Sequence, residues 1–466
     1  MRVHRRHFLR SAASVALAAP AFSTLASCAN ATPALSAGQP LALQPDPNGW
    51  LDLPEGFSYV RFSNTGEEMS DGFMVPAMHD GMEAFPVEGD PDRCLLVRNH
   101  ELNPSRISEG PFGPNLERVD QLDKDRAYDL NLDDTPLSAG TTSLLYNLKT
   151  GQLEESWLSL IGTDRNCAGG PTPWGTWLSC EESRANAGEA TKKDHGYTFE
   201  VPTDRKGLVE PIPLKDMGRF NHEAAAVDPS TGIVYQTEDS ADGLFYRFLP
   251  DAPGELAKGG RLQALVLADQ PKGDTRNWGG STIASGQSLP VRWVDLVDVT
   301  APDGDLAQRG YAADAALFAR GEGMAFALED MKAAIYFACT NGGQAKYGQI
   351  WRYQPSEFEG TAREAEAPGM LTLHYESPDQ TTMDMCDNIV AAPWGHLVIC
   401  EDGSDDEFLH GLTPYGETYH IARNAHPRRS EVAGACFSPD GSTLFMNIQT
   451  PGATFAITGP WSTLYT

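Results

Sequence analysis

The chain is 466 residues long, with 41% hydrophobic and 21% charged residues, a composition that excludes a disordered or membrane-embedded protein. Asp and Glu number 64 against 35 Lys and Arg, a net charge of −29, so the surface repels nucleic acid and anionic lipid rather than recruiting them. Abundant glycine (45) and proline (33) favour short strands and tight turns over long helices.

In chain order, residues 1–28 read as an export signal. A basic start (Arg2, Arg5, Arg6, Arg10) precedes an apolar stretch from Ala12 to Leu25 that is too short to span a bilayer. Arg5-Arg6 with Phe8-Leu9 resembles a twin-arginine signal, a route for folded proteins to the periplasm or beyond. Leu25-Ala26-Ser27-Cys28 resembles a lipobox. Lipid on Cys28 would be the only link to a membrane, the alternative being ordinary cleavage near Ala26. Residues 29–50, rich in Ala, Pro and Gln, are expected to form a tether, and residues 51–466 a single domain.

Within that domain one unit recurs. Cys167 to Glu182 and Cys386 to Asp402 both run from Cys through Pro-Trp-Gly to an apolar stretch ending Cys-acid-acid. Looser copies begin at Gly81 (ending Asn99-His100-Glu101), Asn221 (ending Glu238-Asp239), Glu322 (ending Cys339-Thr340-Asn341) and Gly434 (ending near Asn447). Six hairpins with polar ends predict an all-β, six-bladed β-propeller, with two β-sandwiches as the rival architecture. The excess length falls into loops such as 105–140 and 183–210, and a short helix is expected within 305–320.

A propeller brings equivalent strand ends to its axis. Glu101, Glu181, Glu223, Glu238, Asp239, Glu322, Asp387, Glu401 and Asp402 would then crowd together, and cations are the simplest means of neutralising them. Carboxylates suit hard ions such as Ca²⁺, while a thiolate from Cys180, with His100 or His222, would suit a transition ion beside them. The pairs Cys167/Cys180 and Cys386/Cys400 could instead be disulfides, which export permits. Arg320, two residues before Glu322, is placed either to bind an anion with its fork or to pair with that glutamate.

The segments Cys167-Ala-Gly-Gly-Pro-Thr-Pro-Trp-Gly-Thr-Trp-Leu-Ser-Cys-Glu-Glu, Gly218-Arg-Phe-Asn-His-Glu-Ala, Phe318-Ala-Arg-Gly-Glu-Gly and Cys386-Asp-Asn resemble the PhoX-type alkaline phosphatase family. Gly321 stands where that family usually has Pro. The resemblance implies a six-bladed propeller holding ferric iron and calcium, and hydrolysis of phosphomonoesters. It further implies iron ligation by Cys180, metal carboxylates at Glu223, Glu322, Glu401 and Asp402, and phosphate contact by Arg320.

Overall fold

Each of the six repeated segments folds as an antiparallel strand pair. The first strands are His79–Val87, Asn166–Pro171, His222–Val227, Gly321–Glu329, Cys386–Ala391 and Val432–Phe437. Their partners are Asp90–His100, Thr176–Glu181, Val234–Glu238, Lys332–Cys339, Leu397–Glu401 and Thr443–Ile448. Each first strand packs against the next, and the last packs against the first, so the six enclose an axis. This is a computed structural model describing residues 41–279 and 282–464. The expected export signal, Cys28 and most of the tether lie outside those residues.

The architecture is all-β and propeller-like, with one short α-helix among the described residues, Leu306–Ala312, inside the predicted 305–320 stretch. Hydrogen bonding divides the strands into five sheets of four, three, nine, four and six strands. Six separate blades were expected. The difference arises because Ser288–Asp295 pairs on one edge with Gly260–Leu267 and on the other with Met370–Glu376, fusing two four-stranded meanders into the nine-stranded sheet.

The circle is closed by the chain's own start. Ser58–Phe62 forms the outer strand of the last sheet, against Ala453–Thr458. Leu51–Pro54 pairs with Thr418–Asn424, and Leu43–Gln44 adds beyond it. Asp46 fixes this approach, accepting the amides of Asn48, Trp50 and Leu51 and the Tyr59 hydroxyl. The predicted tether therefore ends before residue 50. From about residue 43 the chain is part of the sheet system.

Apolar residues fill the spaces between neighbouring sheets, as in the cluster of Leu51, Val398, Leu409, Ile421, Leu444 and Phe455. At the axis, by contrast, the first strands meet through small residues. A Cβ on Gly323 would lie 2.5 Å from the Asn388 Cα, and one on Gly81 would lie 2.6 Å from the Ala168 Cα. Neither obstacle is a side chain that could swing away. Gly323→Ala is therefore expected to cost about 1–3 kcal/mol through forced separation of two strands. The check is the thermal midpoint, and an unchanged midpoint would show that the strands can give.

Candidate active site

All six first strands break register with their partners at the same place. The residues left out of the ladder are Asp80-Gly81, Cys167-Ala168, Glu223-Ala224, Glu322-Gly323, Asp387-Asn388 and Gly434-Ala435. Bulges of this kind re-aim a side chain. Here they set Asp80, Cys167, Glu223, Glu322 and Asp387 at equivalent positions, with Gly434 in the sixth. Ligand atoms of Glu223, Glu322 and Asp387 all lie within 4.8 Å of one another, and all three residues are buried. The Cys167 thiol donates to the backbone carbonyls of His222 (3.3 Å) and Glu223 (3.8 Å), which places it beside that glutamate.

A second set comes from the residues that follow the returning strands. His100, Glu181, Glu238, Cys339 and Glu401 pair with the first residues of the inner strands, so the next positions are Glu101, Glu182, Asp239, Thr340 and Asp402. Gln449 is their counterpart in the sixth unit. It donates to Glu101 (2.9 Å) and to Glu431 (2.7 Å). Burial first, then neighbouring carboxylates, push Asp80, Glu223, Glu322, Asp387 and Glu431 well above the ordinary carboxylate range. Glu182 rises to about 8 and Asp402 to about 6, again chiefly through burial. So many acids at one point require protons or cations for balance. The donor set of buried carboxylates with one thiol fits metal ions, so the cluster is a possible metal-binding group.

Two arginines answer this charge. Arg320 holds Asp239 through Nε and Nη2, both at 2.8 Å, and its Nη2 lies 3.1 Å from Glu322. The salt bridge read from the two-residue spacing is therefore present. Arg165 binds Glu101 through Nε and Nη2 and Glu182 through Nη2.

Several expected ligands are placed elsewhere. Adjacent residues in a strand point to opposite faces, so only the second acid of each acid pair can face the cluster. Glu181 turns away and accepts the amides of Asp164, Gly196 and Tyr197 and a hydrogen bond from His195. Glu238 accepts the Leu244 amide and the Tyr246 hydroxyl, and Glu401 the amides of Asp384 and Phe408. These three order the loops behind the site. His100 is held by the Ala77 carbonyl and Thr142, and His222 by the Gly218 carbonyl and Thr198. Burial keeps both imidazoles neutral, His222 falling to about 4.

Cys180 also lies away from the cluster. Its thiol sits 3.6 Å from the Thr198 hydroxyl, and burial lifts its pKa to about 12. It occupies the position from which other units latch onto the next first strand. Asn99 donates to the Cys167 and Ala168 carbonyls, Thr237 to the Glu322 carbonyl and Asn447 to the Asp80 carbonyl. Cys167, on the inner strand, is the thiol at the cluster. All seven cysteines among the described residues are buried and free, so the alternative reading of Cys167/Cys180 and Cys386/Cys400 as disulfides does not hold. Sequence reading also missed Asp80, Glu431 and Arg165, and took Glu181 as the ligand where Glu182 stands. Strand alternation applied to the repeats would have chosen Glu182 over Glu181.

The network behind Glu181 predicts a pH effect. Burial disfavours protonation of His195, but Glu181 and Asp129 outweigh it and lift the imidazole to about 10 from 6.5. A raised folded pKa stabilises fully below the unfolded value and is lost as pH rises through the folded one. Stability of the wild type should therefore fall between pH 7 and 10 more steeply than that of His195→Gln. Equal slopes in denaturant titrations would remove His195 from the account.

Beyond the acidic cluster the axis continues as a channel of about 680 Å³ lined largely by inner-strand Gly, Ala and Met. It opens past Gly81, Ala168, Ala224, Gly323 and Ala435, so the ligand-bearing residues stand at one end of it.

The sequence matches the family described as alkaline phosphatase PhoX over residues 38–452. Among solved structures, the fold is similar to Pseudomonas fluorescens PhoX in complex with vanadate, a transition state analogue. That match has a TM-score of 0.64 and 18% identity, over 91% of this chain and 97% of that one. A gluconolactonase from Xanthomonas campestris aligns with a TM-score of 0.40 and 11% identity, over 92% and 99% of the two chains. A search of curated proteins returns no significant match. A family match over most of the sequence, together with the PhoX-like fold, shows that the chain belongs to the alkaline phosphatase PhoX family of phosphoric monoester hydrolases.

Proposed function

We propose that the chain hydrolyses phosphomonoesters at the axial acidic cluster, with metal ions bound by Glu223, Glu322 and Asp387. The observation that carries this reading is the convergence of those three buried carboxylates within 4.8 Å, bordered by Arg320. Calcium would be held by the carboxylates, and a transition ion such as ferric iron by Cys167 with Glu223; the donor types support this pairing. When bound, such ions supply Lewis-acid stabilisation of charge on the phosphoryl group.

The chain's own groups have separate tasks. Asp239 and Glu322 hold the Nε/Nη2 side of Arg320, which orients its remaining amine toward an anion's oxygens. Preorganised donors of this kind act without reorganising during the reaction. The inter-strand latches from Thr237 and Asn447 fix the backbone at Glu322 and Asp80, so the carboxylates keep their spacing. The proposal also treats the fused nine-stranded sheet as two blades, making six. It includes twin-arginine export, with the protein periplasmic or extracellular and Cys28 available for lipid, on the sequence of residues 1–28.

The test is turnover of p-nitrophenyl phosphate and of its bis-ester by the exported full chain with calcium, before and after a chelator. Monoester turnover that the chelator abolishes and calcium restores is expected. Absence of turnover in folded, metal-loaded protein would contradict it and leave a cation-stabilised binding propeller.

A further inference from the structure

Arg165 and Arg320 occupy the same place in two repeats. Each is the residue immediately before an inner strand, and each precedes a cluster residue by two, Cys167 and Glu322 respectively. Both adopt the left-handed backbone that non-glycine residues avoid, with φ of 51° and 50°. Each backbone is pinned identically: the Arg165 amide donates to the Leu102 carbonyl and its carbonyl accepts from Glu182, while Arg320 bonds Ser240 and Thr340 in the same way. Met78 and Met385 take the same backbone in two other repeats, with φ of 53° and 54°, so the conformation is a feature of the repeat and the side chains set the two arginines apart.

The side chains are used alike as well. Each guanidinium gives Nε and Nη2 to carboxylates of the second set, and Nη1 of each makes no hydrogen bond among the described residues. Both remain partly open at the mouth, with side chains 41% and 34% exposed. Asn221 links the carboxylate residues they hold, forming a β-bridge with Glu182 and accepting the Asp239 amide, so the two forks flank one carboxylate pair.

We propose that Arg165 is the second guanidinium of the anion site, binding the phosphoryl dianion together with Arg320. This rests on the reading that Arg320 binds phosphate. A plain structural salt bridge would need only the carboxylate side of the fork. Two guanidinium groups match the two negative charges of a monoester and over-match the single charge of a diester. Arg165 therefore contributes to selection of monoesters over diesters.

The experiment measures inorganic phosphate binding by calorimetry, and competition against p-nitrophenyl phosphate, for the metal-loaded wild type, Arg165→Gln, Arg165→Lys and Arg320→Gln. Thermal midpoints are recorded for each. Arg165→Gln is expected to weaken phosphate binding about tenfold or more, the scale of a lost charge-assisted contact, and to narrow the monoester-to-diester ratio. Arg165→Lys, which keeps charge but loses the fork, should retain the fold and recover only part of the affinity. Phosphate affinity and ester ratio unchanged in both Arg165 variants, while Arg320→Gln loses affinity, would overturn the inference and leave the Arg320 reading standing. No phosphate binding by the wild type would overturn both.

Discussion

Glu322→Gln is expected to lower phosphatase kcat/KM by roughly 10³-fold or more, the scale of lost metal-centred charge stabilisation. Glu322 is shared between two parts of the site. Its carboxyl joins Glu223 and Asp387 in the closest group of potential ligands, and its Oε1 receives Arg320. The amide is nearly isosteric, so packing against Thr237, which bonds the Glu322 carbonyl, should persist. In the metal-free chain the substitution removes one of several mutually repelling acids, and stability should hold or rise. With metal, both cation content and activity should fall together. Full activity in Glu322→Gln, with cation content unchanged, would exclude the carboxylate from the centre.

The second large effect separates two cysteines that look equivalent in sequence. Cys167→Ala is expected to reduce activity by about 10²-fold or more, the effect of losing the thiol proposed above to hold a transition ion. Cys180→Ala should leave activity within about twofold and cost on the order of 1 kcal/mol for a small buried cavity. Cys167 stands in the bulge beside Glu223, whereas Cys180 faces Thr198 one strand further out. Elemental analysis of both variants beside wild type gives the discriminating measurement: iron should be depleted in Cys167→Ala alone. Depletion in Cys180→Ala alone would reverse the assignment.

Much of this arrangement is legible in the sequence because the repeats preserve it. The six hairpins and the axial placement of Glu101, Glu223, Asp239, Glu322, Asp387 and Asp402 follow from aligning the segments, and the short helix from the alanine-rich stretch within 305–320. What misleads is recurrence itself. Glu181, Glu238 and Glu401 recur in register, yet for a loop-ordering reason: each accepts backbone amides from the segment behind its strand. Recurrence marks a shared structural position and does not by itself distinguish a ligand from a support.

Alternation would have separated the two. In Cys180-Glu181-Glu182 only alternate side chains can share a face, and Asp239 and Asp402 show which one points inward. The bulges were harder to foresee. They invert alternation locally and bring Asp80 and Cys167 to the axis, where a regular strand gives no such signal. Arg165 repeats the spacing of Arg320, two residues before a cluster residue, but the cue is silent until Cys167, and not Cys180, is known to face the axis. The fused nine-stranded sheet depends on a long-range pairing, Ser288–Asp295 with Met370–Glu376, that no repeat encodes.

Crystals of the full chain grown with calcium, and an anomalous difference map collected from them at long wavelength, would locate the cations. Cation peaks are expected within ligand distance of the Glu223, Glu322 and Asp387 carboxylates, and an iron-edge peak beside Cys167. Cations bound only elsewhere, with the three carboxyl groups protonated and hydrogen-bonded to one another, would contradict it.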